Sequence, residues 1–202
     1  DEPLIFVQVA LLKGMASKVQ PLLDQEAPVQ PVGDADTAIF YSISNCQTGL
    51  KGVSLGNFLI KMVVAALEAE LPQLRGFATL SPIPGFTAWL NRAAEAGDPM
   101  VPADLTATLA DPDWYRDEAQ AEALKPVLMG LCAHYLVREK RGSRPLDPVA
   151  RFHLGNGARL ERLNWLGDIS AKGIAESAGM LVNYRYDQSR IPANHEAFVA
   201  TG

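Results

Sequence analysis

The sequence predicts a single α/β domain, and three observations support this class. The chain has 202 residues, of which 48% are hydrophobic and 20% charged, a composition typical of a globular domain with a sizeable core. Residues 37–44, 55–67 and 76–80 follow one another as a β-branched strand, an amphipathic helix and a short apolar strand. Such a βαβ unit places its two strands parallel in one sheet.

The segments that precede this unit are predicted less sharply. Residues 4–12 are rich in Leu, Ile and Val, which favours a strand buried on both faces. Residues 15–26 have weak helical character that Pro21 interrupts, and residues 27–36 contain two prolines and a glycine typical of a loop. We therefore expect a strand, a broken helix and a loop before the βαβ unit.

The helix of the βαβ unit carries the clearest periodicity in the chain. Its apolar residues recur at helical spacing, and Pro72 marks its end. They are Leu55, Phe58, Leu59, Met62, Val63, Ala66 and Leu67.

The second half of the chain is predicted to be helical over about 87–140, with a second apolar stripe. The stripe consists of Leu124, Val127, Leu128, Leu131, Cys132 and Tyr135. Asp147-Pro148 then provides an N-cap and a first-turn proline for a short helix, and Gly155-Asn156-Gly157 closes it with residues that tolerate positive φ. Residues 159–166 and 179–186 are predicted strands, and His195 falls in what we expect to be a polar, solvated tail.

Charge and cysteine content exclude several classes of protein. The net charge is −5, which argues against a broad nucleic-acid or anionic-membrane surface, and no apolar run reaches the roughly 20 residues of a membrane span. Cys46 and Cys132 are too far apart for a zinc motif and are expected to be reduced thiols. His134 lies within an apolar stripe and is expected to be structural, so the three histidines predict no metal site.

A turn rich in glycine and polar residues between strand and helix could bind a phosphate. Its glycines allow close approach of a ligand, and the helix start offers unpaired N–H groups and the positive end of a dipole. It is neither a Walker A motif nor a G-x-G-x-x-G motif, so a plain turn remains an equal alternative on spacing alone. The candidate residues are Lys51, Gly52, Val53, Ser54, Leu55, Gly56 and Asn57.

Two further residues could carry chemistry. Ser81 ends a predicted strand, and Pro82 and Pro84 fix the path of the chain after it, so its hydroxyl could be held in place. His153 lies on the short helix before two glycines and could act as a general acid or base. Taken alone, each is more often structural: a rigid turn for Ser81 and a satisfied core histidine for His153.

Taken together, the segments resemble the malonyl-CoA decarboxylases. The resemblance extends in order over nearly the whole chain, and the serine and histidine segments are specific to that family. The matching segments are 39–44, 49–61, 80–86, 147–158 and 174–186.

The resemblance implies a GNAT-like fold, that of the GNAT superfamily of N-acetyltransferases, with a mixed sheet flanked by helices. Residues 1–202 would form most of the catalytic domain, lacking the opening elements of the fold and the preceding helical domain, through which family members form homo-oligomers. The superfamily signature Q/R-x-x-G-x-G/A aligns with residues 51–56, where Lys51 replaces Gln or Arg and Ser54 replaces the first glycine. This departure weakens the acyltransferase interpretation.

The resemblance also implies a reaction and a site. Malonyl-CoA would lose CO2 to give acetyl-CoA, with Ser81 as proton acceptor, His153 as proton donor and residues 51–57 on the CoA pyrophosphate. Ser42 is a further candidate for the pocket. No organic cofactor or metal is expected, because the thioester itself accepts the charge of the enolate. A CoA-dependent N-acyltransferase and a non-catalytic acyl-CoA-binding module remain alternatives, and a cytoplasmic location is expected.

Overall fold

The computed structural model of the protein describes residues 5–45 and 55–202. The strands are β1 (Ile5–Leu12), β2 (Thr37–Asn45), β3 (Gly76–Thr79), β4 (Ser81–Pro82), β5 (Lys140–Arg141), β6 (Arg144–Pro145), β7 (Arg159–Asn164) and β8 (Leu181–Arg185). The helices are α1 (Gln20–Leu23), α2 (Leu55–Glu70), α3 (Phe86–Glu95), α4 (Leu105–Leu109), α5 (Glu118–Val137), α6 (Pro148–Gly155), α7 (Ala171–Ser177) and α8 (Ile191–Thr201).

The main sheet is mixed, as predicted. Its order is β1-β2-β3-β8-β4, and β7 pairs with β8 as well. β2 and β3 are parallel, from Thr37 opposite Gly76 to Phe40 opposite Thr79, which confirms the βαβ unit. β1 is antiparallel to β2, and β8 is antiparallel to β3, β4 and β7.

The parallel pair separates immediately before Ser81. The backbone N–H of Leu80 donates to the carbonyl of Phe40 at 2.9 Å. Among the described residues, the pairing of β2 with β3 ends at this point. β2 continues to Asn45 beside β1, with a bulge between Gln8 and Val9, while Ser81 pairs with Val182 of β8. Ser81 therefore stands where the sheet opens.

The two faces of the sheet bury cores of unequal size because side chains alternate along each strand. On one face Phe40 and Phe77 pack with the large core that includes Ile60 of α2 and Leu128 of α5. On the other face a small cluster is covered by the segment that follows β1. That cluster consists of Ile39, Ala78, Leu80 and Leu181, with Leu12, Met15, Ala16, Val19 and Leu22 against it.

Three sequence predictions were wrong at the ends of the chain. β1 is not buried on both faces; in the described sheet it is an edge strand, and 56% of Phe6 is exposed. Pro21 lies in the first turn of α1, which is a single turn, rather than interrupting a longer helix, because the first turn needs no N–H from proline. His195 is exposed but lies on α8, a helix whose N-terminus lacks a side-chain cap and whose start is marked by the first-turn proline Pro192.

The remaining predictions hold with finer boundaries. The predicted helical stretch over 87–140 divides into α3, α4 and α5, and the two predicted late strands are β7 and β8. α6 ends as expected, but only Gly157 takes a positive φ, of 81°, while Asn156 has a φ of −89°. Within residues 5–45 and 55–202, none of the helices has the length and apolar character needed to cross a membrane.

Candidate active site

Helix α6 holds His153 in a fixed place. Asp147 is fully buried and caps the helix, since its Oδ1 accepts the N–H of Ala150 at 2.7 Å. Burial raises the pKa of Asp147, and the N–H donors at the helix start oppose that rise. After the helix, Gly157 turns the chain toward β7, and a Cβ there would overlap the carbonyl oxygen of Ile191. The position of His153 is thus set at both ends of its helix.

The segment from Ser81 to Gly85 is fixed by prolines and by a close packing contact. Pro82 and Pro84 restrict the backbone, and the Ile83 side chain between them is fully buried. Gly85 lies so close to the Tyr135 hydroxyl that a Cβ at this position could not fit without movement. Ser81 is therefore held by a backbone with little freedom.

Ser81 and His153 meet in the interior, on the face of the sheet covered by α6. Ser81 Oγ lies 3.1 Å from His153 Nε2, and the two residues are 5% and 3% exposed. The other ring nitrogen, Nδ1, lies 2.8 Å from the Tyr186 hydroxyl. The Tyr184 ring packs on the imidazole with centroids 4.7 Å apart and planes 23° apart. Both nitrogens of the imidazole are therefore engaged in the protein itself.

Thr79 holds the opposite side of Ser81. Ser81 Oγ donates to Thr79 Oγ1 at 2.8 Å, and the backbone N–H of Tyr184 donates to the same oxygen at 3.1 Å. The Asn183 side chain donates to the carbonyl of Thr79 at 2.7 Å and accepts from Asn164 Nδ2 at 2.9 Å. Side-chain hydrogen bonds thus replace part of the backbone hydrogen bonding between β3 and β8. At this interruption, the Ser81 hydroxyl contacts His153 of α6.

The hydrogen-bonded group is neutral at physiological pH. Burial lowers the pKa of His153 from 6.5 to about 3, so the imidazole carries a single proton. Burial also raises the pKa of Tyr186, which keeps the phenol protonated. A neutral imidazole has one donor and one acceptor nitrogen, so it can pass a proton between its two neighbours.

The other residues singled out from the sequence have different positions. Ser42 is half-buried on β2, opposite Gln8, in the part of the strand beyond the separation from β3. The predicted phosphate-binding residues 51–54 lie outside the described residues. Of Leu55, Gly56 and Asn57, only the backbone is described, as the first turn of α2.

The remaining histidines and cysteines are away from this group. His134 packs on Trp89 with ring centroids 5.9 Å apart and contacts Glu139 at 3.3 Å, which agrees with its predicted structural role. Cys132 is a free, fully buried thiol, while Cys46 lies outside the described residues. In the described part of the chain, no three His, Cys, Asp or Glu side chains are grouped to hold a metal ion.

Sequence reasoning missed three residues of the site: Thr79, Asn183 and Tyr186. One signal for Tyr186 was present, because Tyr184 and Tyr186 are two apart in a strand and should share a face. The two-residue period of a strand shows which side chains share a face, but it does not show which helix packs against that face. The roles of Thr79 and Asn183 depend on the interrupted ladder, which leaves no mark in the sequence.

Several known proteins are similar to this chain in fold, in sequence or in both. The GphF GNAT-like decarboxylase, solved in complex with isobutyryl-CoA, superposes with a TM-score of 0.52 over 91% of this chain and 71% of that chain, at 16% identity. The domain therefore has a GNAT-like fold. The malonyl-CoA decarboxylase C-terminal domain family matches residues 1–202, and the chain belongs to that family.

Two relatives show how close the similarity is. The malonyl-CoA decarboxylase crystal structure from Rhodopseudomonas palustris superposes with a TM-score of 0.92 at 50% identity, over 98% of this chain and 46% of that chain. The mitochondrial malonyl-CoA decarboxylase of Anser anser anser is 42% identical over 99% of this chain and 44% of its own length. The chain thus spans less than half the length of these two relatives.

Proposed function

We propose that the protein containing this chain decarboxylates malonyl-CoA to acetyl-CoA and CO2. The observation that carries the proposal is the buried contact between Ser81 Oγ and His153 Nε2, in a chain that belongs to the malonyl-CoA decarboxylase family. A hydroxyl and an imidazole in contact, at an opening of a sheet, suit a reaction that needs a single proton placed on a carbanion.

The proposed reaction breaks the bond between the malonyl carboxylate carbon and the α-carbon. CO2 leaves, and the electron pair of that bond moves into the thioester as an enolate, which then takes a proton at the α-carbon. The substrate accepts the charge itself, so the protein must hold the carboxylate out of the thioester plane, exclude water and supply the proton. The expectation that no cofactor takes part belongs to this proposal.

His153 is the proposed proton donor. In the unliganded protein it is neutral, because burial holds its pKa at about 3. The thioester enolate is a much stronger base than imidazolate, the anion left when a neutral imidazole gives up its proton, so a neutral ring with its proton on Nε2 can serve as an acid. The Ser81 hydroxyl lies within hydrogen-bond distance of that nitrogen, and it either positions the carboxylate or relays the proton. Solvent then returns one proton to the site for each turnover.

The proposed CoA site extends from the opening of the sheet to the start of α2. We place the pyrophosphate at residues 51–57, because a helix start with glycines on both sides offers N–H groups to an anion. Ser42, on the diverging part of β2, is a candidate for the wall of the same pocket. Assembly into homo-oligomers through a preceding helical domain is part of the proposal as well.

Product analysis by mass spectrometry tests the function directly. Full-length protein incubated with malonyl-CoA and no amine should give acetyl-CoA and CO2 in equal amounts. An N-acyltransferase would need an amine acceptor and would leave malonyl-CoA unchanged under these conditions. A binding module would retain malonyl-CoA without turnover. Either of these results would exclude the decarboxylase.

A further inference from the structure

We propose that Tyr186 is a positioning residue that holds neutral His153 in the tautomer with its proton on Nε2. The inference rests on the proposed function, in which Nε2 faces the reacting group. It concerns the hydrogen-bond partner on the other side of the ring, where the Tyr186 hydroxyl lies 2.8 Å from Nδ1. Neither proton donation nor substrate contact is assigned to Tyr186 itself.

The direction of that hydrogen bond follows from what surrounds the phenol. Tyr186 is buried, and within residues 5–45 and 55–202 His153 Nδ1 is the one group in hydrogen-bond geometry with its hydroxyl. A buried O–H with one available acceptor donates to it, since an unsatisfied donor is costly. Nδ1 is then the acceptor, so the single proton of the neutral ring resides on Nε2.

The buried amide of Asn156 does not change this direction. Its Nδ2 and Oδ1 have no hydrogen-bond partner among the described residues, so its oxygen is not in hydrogen-bond geometry to accept the phenol proton. His153 Nδ1, 2.8 Å from the Tyr186 hydroxyl, therefore remains the acceptor.

The rest of the chain of hydrogen bonds is consistent with this order. If Nε2 donates to Ser81 Oγ, the Ser81 proton must go elsewhere, and it donates to Thr79 Oγ1 at 2.8 Å. Thr79 Oγ1 also accepts the backbone N–H of Tyr184. From Tyr186 through His153 and Ser81 to Thr79, each donor therefore meets one acceptor.

The test compares two tyrosines two positions apart in full-length protein, Tyr184 on β8 and Tyr186 directly after β8. Tyr186→Phe removes the hydroxyl on Nδ1. Tyr184→Phe is the matched control: it keeps the ring that stacks on His153 and removes a buried hydroxyl without a partner in the described structure. We expect Tyr186→Phe to lower kcat for malonyl-CoA about 10-fold or more, with KM changed less than about twofold. Tyr184→Phe should change kcat less than about twofold.

The tautomer itself is read by nuclear magnetic resonance. In unliganded protein labelled with ¹⁵N-histidine at pH 7, two-bond ¹H–¹⁵N correlations distinguish a proton on Nε2 from one on Nδ1, and His153→Gln identifies the His153 signals. We expect Nε2–H in the wild type and in Tyr184→Phe, and a shift toward Nδ1–H in Tyr186→Phe. Structural damage alone would not reverse the two nitrogens.

Two results would overturn the inference. One is a wild-type spectrum with the proton on Nδ1, which needs no variant and so decides the matter even if Tyr186→Phe folds poorly. The other is a Tyr186→Phe protein that keeps both the Nε2–H tautomer and wild-type kcat. Because the spectrum requires no turnover, it tests Tyr186 even if malonyl-CoA proves not to be the substrate.

Discussion

Ser81 Oγ and His153 Nε2 lie 3.1 Å apart, although 72 positions of sequence separate them. Ser81 begins β4 where the sheet opens, and His153 lies on the short helix α6. In the proposed mechanism, these two hydrogen-bonded side chains face the same bound malonyl group. Loss of either should therefore disable the same step.

We predict that Ser81→Ala and His153→Ala each lower kcat for malonyl-CoA by about 10²-fold or more, as is typical for groups that transfer a proton. The double variant should be little worse than either single one, since residues that act as a unit are not additive. Steady-state kinetics on the three variants measures this. Near-normal turnover in either single variant would contradict the shared site.

Replacement of Ser81 or His153 by alanine should also lower stability. His153 is buried against Tyr184 and Tyr186. Truncation to alanine removes packed atoms and leaves polar partners unsatisfied, so we expect a loss of about 1–3 kcal/mol. Kinetics should be measured well below the melting temperature, with the fold checked by circular dichroism.

The buried histidine predicts how stability depends on pH. The folded pKa, about 3, lies below the unfolded value of 6.5, so the unfolded chain binds one more proton between these values. The contribution of the neutral, buried imidazole to the free energy of unfolding is fully present above pH 6.5. It is lost as the pH falls toward 3, at about 1.4 kcal/mol per pH unit. Urea unfolding at pH 7, 6 and 5 should show this slope reduced in His153→Gln. A slope in His153→Gln equal to that of the wild type would exclude a neutral buried His153.

Gly85 should be intolerant of any side chain. A Cβ there would overlap the Tyr135 hydroxyl, so Gly85→Ala must displace either Tyr135 or the segment that carries Ser81. We expect Gly85→Ala to lower the melting temperature by several degrees and to reduce kcat. Gly130→Ala is the matched control, because its Cβ would meet nothing within 4 Å on helix α5 and should stabilise by up to about 1 kcal/mol. A thermally normal Gly85→Ala protein would contradict the packing.

The predicted CoA contact at the start of α2 is tested at Gly56. A bulky residue there should keep the pyrophosphate from the backbone amides and raise KM for malonyl-CoA more than it lowers stability. Glu70→Gln, at the far end of the same helix, is the control and should leave KM unchanged. A folded Gly56→Phe protein with wild-type KM would remove residues 51–57 from the proposed site.

The decarboxylation should be independent of any cofactor. Because the thioester carbonyl accepts the charge of the enolate, activity should survive exhaustive treatment with EDTA and need no organic cofactor. Product formation before and after dialysis against EDTA measures this. A loss of activity that Zn²⁺ or Mg²⁺ restores would contradict it.

Most of the fold could be predicted where local rules agree with tertiary packing. β2, α2 and β3 follow from periodicity, and α6 follows from Asp147 and Pro148, because a cap and a first-turn proline act locally. β1 was placed correctly but given the wrong environment, since its apolar run does not show that it is an edge strand of the described sheet. α8 was not predicted because it has no capping side chain and no clear apolar stripe, and its first-turn proline Pro192 was not enough without them.

The site could be predicted only in part. Ser81 and His153 came from their sequence surroundings and the family resemblance, but their contact depends on how α6 packs on the sheet. Thr79 and Tyr186 could not be found in this way, because their partners are distant in the chain. The hydrogen-bond order of the site is a property of the fold rather than of any short motif.

Burial of both His153 nitrogens has a consequence for chemical labelling. Reagents that acylate imidazole attack an accessible nitrogen lone pair, and neither nitrogen of His153 is exposed. His195 is exposed, and its Nδ1 donates to the carbonyl of Gly155 at 2.7 Å, which leaves the lone pair on Nε2. An acylating reagent should therefore modify His195 first, and mapping the first acylated histidine would not identify His153, the proposed proton donor.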